Sequence, residues 1–181
     1  MIYCSKNKLF SDEELSVIDS MWDNKNTHDK SFIPEKYGKR KYIASVCKTK
    51  ESDIVVKKML DFFENSTGET LINKDFHLII HRYTIGDFFD KHNDSGNAIV
   101  AGTNNIGFRK YTLGMNLNDD YDGGEFIAYD NENKIILGEK RGYPYVMSAN
   151  TTHEVTKIKN GMRKSILIFI CSEDLKKNGI I

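Results

Sequence analysis

The chain holds 181 residues, 39% of them hydrophobic, which is enough for one domain with a substantial core and too few for two. Its 26 Lys and Arg balance 26 Asp and Glu, so no overall charge draws it to nucleic acid or to an anionic membrane surface. Three scattered cysteines (Cys4, Cys47 and Cys171) exclude a disulfide framework, and no stretch reaches the roughly 20 apolar residues of a membrane span, so a soluble, cytoplasmic protein without a signal peptide is expected.

In chain order, Ser11 followed by Glu14 forms a capping-box pattern, and Leu15, Ile18, Met21 and Trp22 recur at helical spacing; a first helix is predicted from Asp12 to about Asp23. The basic run Lys36, Lys39, Arg40 and Lys41 reads as solvated surface, with contact to an acidic substrate as the alternative. A second helix is predicted from Ser52 to Asn65, where Ile54, Val55, Met59, Leu60, Phe62 and Phe63 repeat with a helical period before Gly68 stops it. From Phe76 the texture changes to short runs rich in Ile, Val, Tyr, Phe and Thr, separated by Gly, Asn and Asp clusters. Strands are predicted at 76–83, 87–93, 110–117, 125–129, 134–137, 144–148, 153–158 and 164–171. The expected architecture is one mostly β domain with supporting α-helices, residues 1–75 forming a helical support and 76–181 a jelly-roll core. Gly96 to Gly107, rich in Gly, Asn, Ala and Thr, reads as a loop able to close over a site.

The chemistry concentrates in a few residues. His92 and Asp94 stand two apart at the end of a predicted strand, so an imidazole and a carboxylate share one face and can converge on one ion. His153 opens another predicted strand and is the candidate third ligand, brought across by antiparallel pairing. Two histidines and a carboxylate leave three positions of an octahedron open, the arrangement non-haem iron(II) oxygenases use. The same donors also suit catalytic zinc, and ligand spacing alone does not separate the two metals. His28, His77 and His81 have no comparable context. Arg163 and Ser165 share a strand face at the start of the apolar run SILIFIC, and a guanidinium beside a hydroxyl is well shaped to hold a carboxylate. In the run Gly123-Gly124-Glu125-Phe126 the glycines permit a tight turn into a strand, leaving Glu125 a structural role.

Taken together, these motifs resemble the prolyl 4-hydroxylase-like branch of the 2-oxoglutarate and Fe(II)-dependent dioxygenases. The resemblance runs from about Ile79 to Cys171. It rests on Tyr83-x-x-Gly86 before His92-x-Asp94, Arg109-x-x-Thr112 before Leu117-Asn118, Tyr121-x-Gly123-Gly124-Glu125-Phe126, His153-x-Val155 and Arg163-x-Ser165. It implies a double-stranded β-helix, Fe(II) held by His92, Asp94 and His153, and O2 and 2-oxoglutarate as co-substrates, with ascorbate admitted as an accessory. The implied reaction hydroxylates a C–H bond, foremost that of a proline in a peptide or protein partner, and yields succinate and CO2. Arg163, Ser165 and Tyr83 are implied to hold the distal carboxylate of 2-oxoglutarate, and Arg109 to lie near the substrate. Two positions depart from the pattern: Asn116, assigned to the co-substrate pocket, replaces a tyrosine, and Phe169 replaces a tryptophan. Related scaffolds act on other side chains, nucleobases and small metabolites, and a zinc hydrolase or a non-catalytic binding module are the readings from other classes.

Overall fold

A computed structural model describes residues 1–21, 40–47 and 49–176. Helix α1 spans Asp12–Ser20 and begins as its sequence demands: Ser11 Oγ accepts from the Glu14 amide while the Glu14 carboxylate accepts from the Ser11 amide. Trp22 and Asp23, the expected end of that helix, lie outside the described residues, as do His28, Lys36 and Lys39. Helix α2, Lys50–Thr67, is longer than expected at its start because Thr49 and Ser52 build a second capping box with serine as the reciprocal partner. It ends at Gly68, whose φ of 71° lets its amide turn back onto the Glu64 carbonyl.

Fourteen strands are described: β1 Ile2–Cys4, β2 Arg40–Lys41, β3 Ile43–Cys47, β4 Leu78–Tyr83, β5 Phe88–His92, β6 Asn97–Ile99, β7 Ile106–Asn116, β8 Asp122–Gly123, β9 Phe126–Asp130, β10 Asn133–Leu137, β11 Pro144–Ser148, β12 His153–Val155, β13 Ile158–Asn160 and β14 Arg163–Cys171. A seven-stranded antiparallel sheet runs β1-β11-β7-β14-β4-β3 with β6 attached to β7, and a five-stranded sheet runs β10-β9-β12-β5-β2. This is the jelly-roll fold expected from the sequence.

Strand parity explains how the large sheet serves two purposes. On β14, Ile166, Ile168 and Ile170 join Leu78 and Ile80 of β4, Leu113 and Met115 of β7 and Val146 of β11 in a core that also contains Leu15, Ile18, Met59, Leu60 and Phe63 of the helices. Fully burying one such side chain stabilises the fold by about 1.5–3 kcal/mol. The alternate residues Arg163, Ser165, Leu167 and Phe169 turn to the opposite face, with Ile79, His81 and Tyr83 of β4 and Tyr145 of β11, and line a cavity that faces the smaller sheet. The helices therefore stiffen one face of the sheet and leave the other for chemistry.

Several expectations are corrected here. The N-terminal third is not only a helical support: β1 pairs with β11 and β3 with β4, so it closes both ends of the large sheet. The backbone of Arg40 and Lys41, for which no strand is expected, forms the edge strand β2 beside Phe88 and Phe89 of β5. The stretch 153–158 is two strands, β12 and β13, which pair with different partners. The central strand begins at Ile106 rather than 110, because Gly96 to Gly107 is no open loop. There β6 and β7 form a hairpin with Asn97 opposite Phe108 and Ile99 opposite Ile106. The Ala101 amide, bonded to buried Asp174 at 2.8 Å, ties down its tip.

Candidate active site

The site lies where β5 meets β12. His153 and His92 occupy directly opposed register positions, so antiparallel pairing alone sets their imidazoles side by side, ring centroids 4.2 Å apart. Asp94 follows β5 by two residues, and its amide donates to the Ala149 carbonyl, which pins the chain where it leaves the strand. Asp94 Oδ1 lies 3.8 Å from His92 Nε2, and Asp94 Oδ2 lies 3.6 Å from His153 Nε2. Candidate ligand atoms on the three residues all lie within 4.8 Å of one another.

The surroundings orient these groups. His92 Nδ1 sits 2.7 Å from the Asp90 carbonyl and His153 Nδ1 2.9 Å from the Thr151 carbonyl. A carbonyl only accepts, so in each neutral ring Nδ1 carries the proton and Nε2 presents a lone pair towards Asp94. Thr112 Oγ1 donates to Asp94 Oδ2 at 2.6 Å and fixes the carboxylate. Phe89 stacks on His92 with centroids 3.5 Å apart, and Phe126 meets His153 edge-on at 5.1 Å. Two imidazole nitrogens and one carboxylate, each held from behind, suit a divalent transition metal.

All three residues open onto a cavity of about 420 Å³ whose wall also includes Arg163, Ser165, Tyr83, Arg109 and Tyr145. Arg163 is only 2% exposed. Its Nη1 donates to Ser165 Oγ at 3.0 Å and its Nη2 to Asn116 Oδ1 at 2.7 Å, while Nε has no hydrogen-bond partner among the described residues. The Tyr83 and Phe126 rings flank the guanidinium at 5.4 and 5.7 Å. No carboxylate pairs with Arg163 among the described residues. A buried cation without an anion is costly, and a ligand carboxylate is the group that would offset that cost. Burial also pushes the Tyr83 phenol well above the ordinary tyrosine range, so it keeps its proton and can donate.

The residues singled out in the sequence fall into three places. His92, Asp94 and His153 meet at one end of the cavity, and Arg163, Ser165 and Tyr83 line it further along the large sheet. Arg109 stands at the junction with a second hollow of about 490 Å³ running along β6, its guanidinium 3.8 Å above the Phe169 ring. Asn116, assigned to the co-substrate pocket, is not in that cavity wall. It lies behind Arg163, with its amide nitrogen donating to the Gly138 carbonyl and to Tyr121 Oη. A short amide at this position grips the guanidinium instead of reaching past it. Glu125 is exposed and caps Thr156. His81 reaches the cavity wall and exposed His77 the second hollow, both apart from the His92 group. Thr112 has a role that the sequence reading did not assign, and Tyr145 is a cavity residue that it did not name. A glycine inside a strand, Gly114, was the available signal for Tyr145, since it marks the close approach of something across the strand.

Residues 78–171, just over half of the chain, match the family model described as the 2OG-Fe(II) oxygenase superfamily. Among solved structures, a prolyl-4-hydroxylase from Pseudomonas putida superposes with a TM-score of 0.69 at 13% identity, covering 98% of this chain and 93% of its own. A viral collagen prolyl hydroxylase from Paramecium Bursaria Chlorella virus-1 in complex with 2OG gives 0.65 at 17% identity, covering 93% and 94%. A Trichoplax adhaerens prolyl hydroxylase bound to a peptide fragment of the hypoxia inducible factor oxygen degradation domain gives 0.67 at 14% identity, covering 96% and 84%.

Proposed function

Because the chain belongs to the 2OG-Fe(II) oxygenase superfamily, we propose that it hydroxylates a proline within a peptide, using Fe(II) held by His92, Asp94 and His153. The family makes it a dioxygenase that uses Fe(II), 2-oxoglutarate and O2. The observation that carries the site assignment is the pairing, in one cavity, of a convergent His-Asp-His group with a buried guanidinium that has no carboxylate of its own among the described residues.

In this reading Arg163 and Ser165 bind the distal carboxylate, Tyr83 donates a further hydrogen bond to it, and Asn116 holds the guanidinium in plane from behind. Thr112 fixes the Asp94 carboxylate, and the two backbone carbonyls fix the imidazole tautomers. Phe89, Phe126, Val155 and Leu167 line the cavity and keep water from the reacting atoms. When bound, the metal and 2-oxoglutarate supply the oxidising power: one oxygen atom enters the substrate C–H bond and the other enters succinate as CO2 leaves.

A peptide substrate is supported by the second hollow beyond Arg109, which extends the cavity along an extended strand, and by the two relatives named for collagen and for a bound peptide.

The test has two parts. Anaerobically prepared protein given Fe(II), O2 and 2-oxoglutarate, with ascorbate as an accessory reductant, should release succinate without added substrate. A proline-containing peptide library should then gain about 16 Da, one oxygen atom, on proline, coupled to faster succinate release. Succinate release with no peptide modified, and strong turnover of free nucleotides or small metabolites instead, would reject the peptide reading while keeping the chemistry.

A further inference from the structure

Tyr145 occupies β11 and contributes to none of the roles described so far. It is 3% exposed and lines the same cavity as Arg163, Ser165 and Asp94. Its register partner on β7 is Gly114, in the interior of the longest strand, where glycine weakens a sheet. The reason is steric. A Cβ on Gly114 would lie 2.3 Å from Tyr145 Oη and 2.5 Å from Cζ, so the phenol occupies the gap that the missing side chain leaves in the row along β7.

That gap leads towards Arg163. On the far side of β7, Gly114 is opposite Leu167 of β14, and two residues along the same face Asn116 is opposite Ser165. A single point beside Gly138 lies 3.2 Å from Tyr145 Cε1 and 3.4 Å from Asn116 Cγ, and Asn116 Oδ1 is bonded to Arg163 Nη2. The phenol, the amide and the guanidinium thus form one cluster. Burial holds the Tyr145 phenol above the ordinary tyrosine range although Arg163 works against it, so the hydroxyl keeps its proton. Among the described residues no group accepts a hydrogen bond from it. A buried hydroxyl that retains its proton, lacks an acceptor and faces a cavity is a donor awaiting one.

We propose that Tyr145 Oη donates to the distal carboxylate of 2-oxoglutarate beside Arg163, and that Gly114 is glycine to admit it. The proposal rests on the assignment of Arg163 to that carboxylate. It adds a donor from a third strand of the large sheet, so that β14, β4 and β11 each grip the co-substrate.

The experiment titrates two ligands into the anaerobic Fe(II) protein and follows binding by calorimetry, without turnover. One is 2-oxoglutarate; the other is pyruvate, which carries the 1-carboxylate and 2-keto group but no distal carboxylate. Tyr145→Phe keeps the ring that packs on Gly114, and should weaken 2-oxoglutarate about tenfold or more while leaving pyruvate within about twofold. Gly114→Ala should produce the same selective loss by displacing the phenol. Arg163→Met serves as the reference for a lost distal contact. If Tyr145→Phe binds 2-oxoglutarate as wild type does while Arg163→Met is impaired, the proposal is wrong and the Arg163 reading stands. Equal weakening of both ligands would also overturn it, because the phenol would then only shape the wall. Normal 2-oxoglutarate binding by both variants would remove the Arg163 reading as well.

Discussion

Arg163→Met separates two things that usually travel together, the stability of the fold and the capacity of the site. Methionine keeps an unbranched stem of similar reach and removes the charge. Without a ligand the change removes two hydrogen bonds made by a charged donor, to Ser165 Oγ at 3.0 Å and Asn116 Oδ1 at 2.7 Å, each worth about 1.5–3 kcal/mol. It also removes ring contacts with Tyr83 and Phe126 worth about 0.5–2 kcal/mol. Against this stands relief from burying a cation that has no carboxylate, an effective penalty of several kcal/mol. The terms are of similar size, so the ligand-free variant should unfold within about 2 kcal/mol of wild type, not the roughly 3–5 kcal/mol lost on breaking a complete buried ion pair. With 2-oxoglutarate the balance changes: a desolvated carboxylate left without its guanidinium costs about 2–5 kcal/mol, roughly thirtyfold to a few thousandfold in affinity. At a ligand concentration of about 100 times the wild-type dissociation constant, wild type gains about 2.7 kcal/mol, and the variant about 0.9 kcal/mol for a thirtyfold loss and almost nothing for a few thousandfold loss. Urea unfolding of anaerobic Fe(II) protein with and without 2-oxoglutarate reads both quantities. A variant that is more than about 3 kcal/mol weaker without ligand, yet is stabilised by 2-oxoglutarate as wild type is, would show that Arg163 is a structural group and would refute the reasoning.

Two further outcomes are expected. Asp94→Ala should abolish Fe(II)-dependent succinate release while urea unfolding of the metal-free chain shifts by less than about 1 kcal/mol, since among the described residues its carboxylate accepts a hydrogen bond only from Thr112 Oγ1; preserved turnover would remove Asp94 from the metal site. Glu69 is held below its ordinary 4.5, chiefly by the Lys110 hydrogen bond and with help from Tyr111, against the opposing effect of burial. A depressed carboxyl contributes stability above pH 4.5 that disappears as pH falls through its folded value. Glu69→Gln should therefore destabilise the chain at neutral pH by about 1 kcal/mol or less, because the pair is partly exposed, and the gap should close in acid. A gap that widens below pH 4.5 would contradict the assignment.

What could be read in the sequence was whatever depends on local spacing. His92 and Asp94 two apart, Arg163 and Ser165 two apart, and the α2 repeat ending at Gly68 each carry their geometry in consecutive residues. The position of His153 needed one long-range pairing, and the register of β5 with β12 provides it. What escaped depends on partners distant in sequence. β1, β3 and β6 are strands of three to five residues that take their identity from the longer strands beside them. The 96–107 stretch has the composition of a loop, but Asp174, some seventy residues further on, anchors it as a hairpin. Asn116 was placed in the pocket by the position it occupies in the motif, whereas its short side chain stops at Arg163. Tyr145 gave no local signal, because its importance depends on the residue missing from β7 across from it.

The facing of His92 and His153 also bears on how the chain assembles. Alternate residues of a strand point to opposite faces, so sliding β5 past β12 by one position would turn an imidazole away and dismantle the ligand set. A metal that needs both rings can bind one alignment of the smaller sheet and no other. Loading would then act as a checkpoint on strand order: chains paired out of step gain nothing from the ion, and those in step are withdrawn from the exchanging population by mass action.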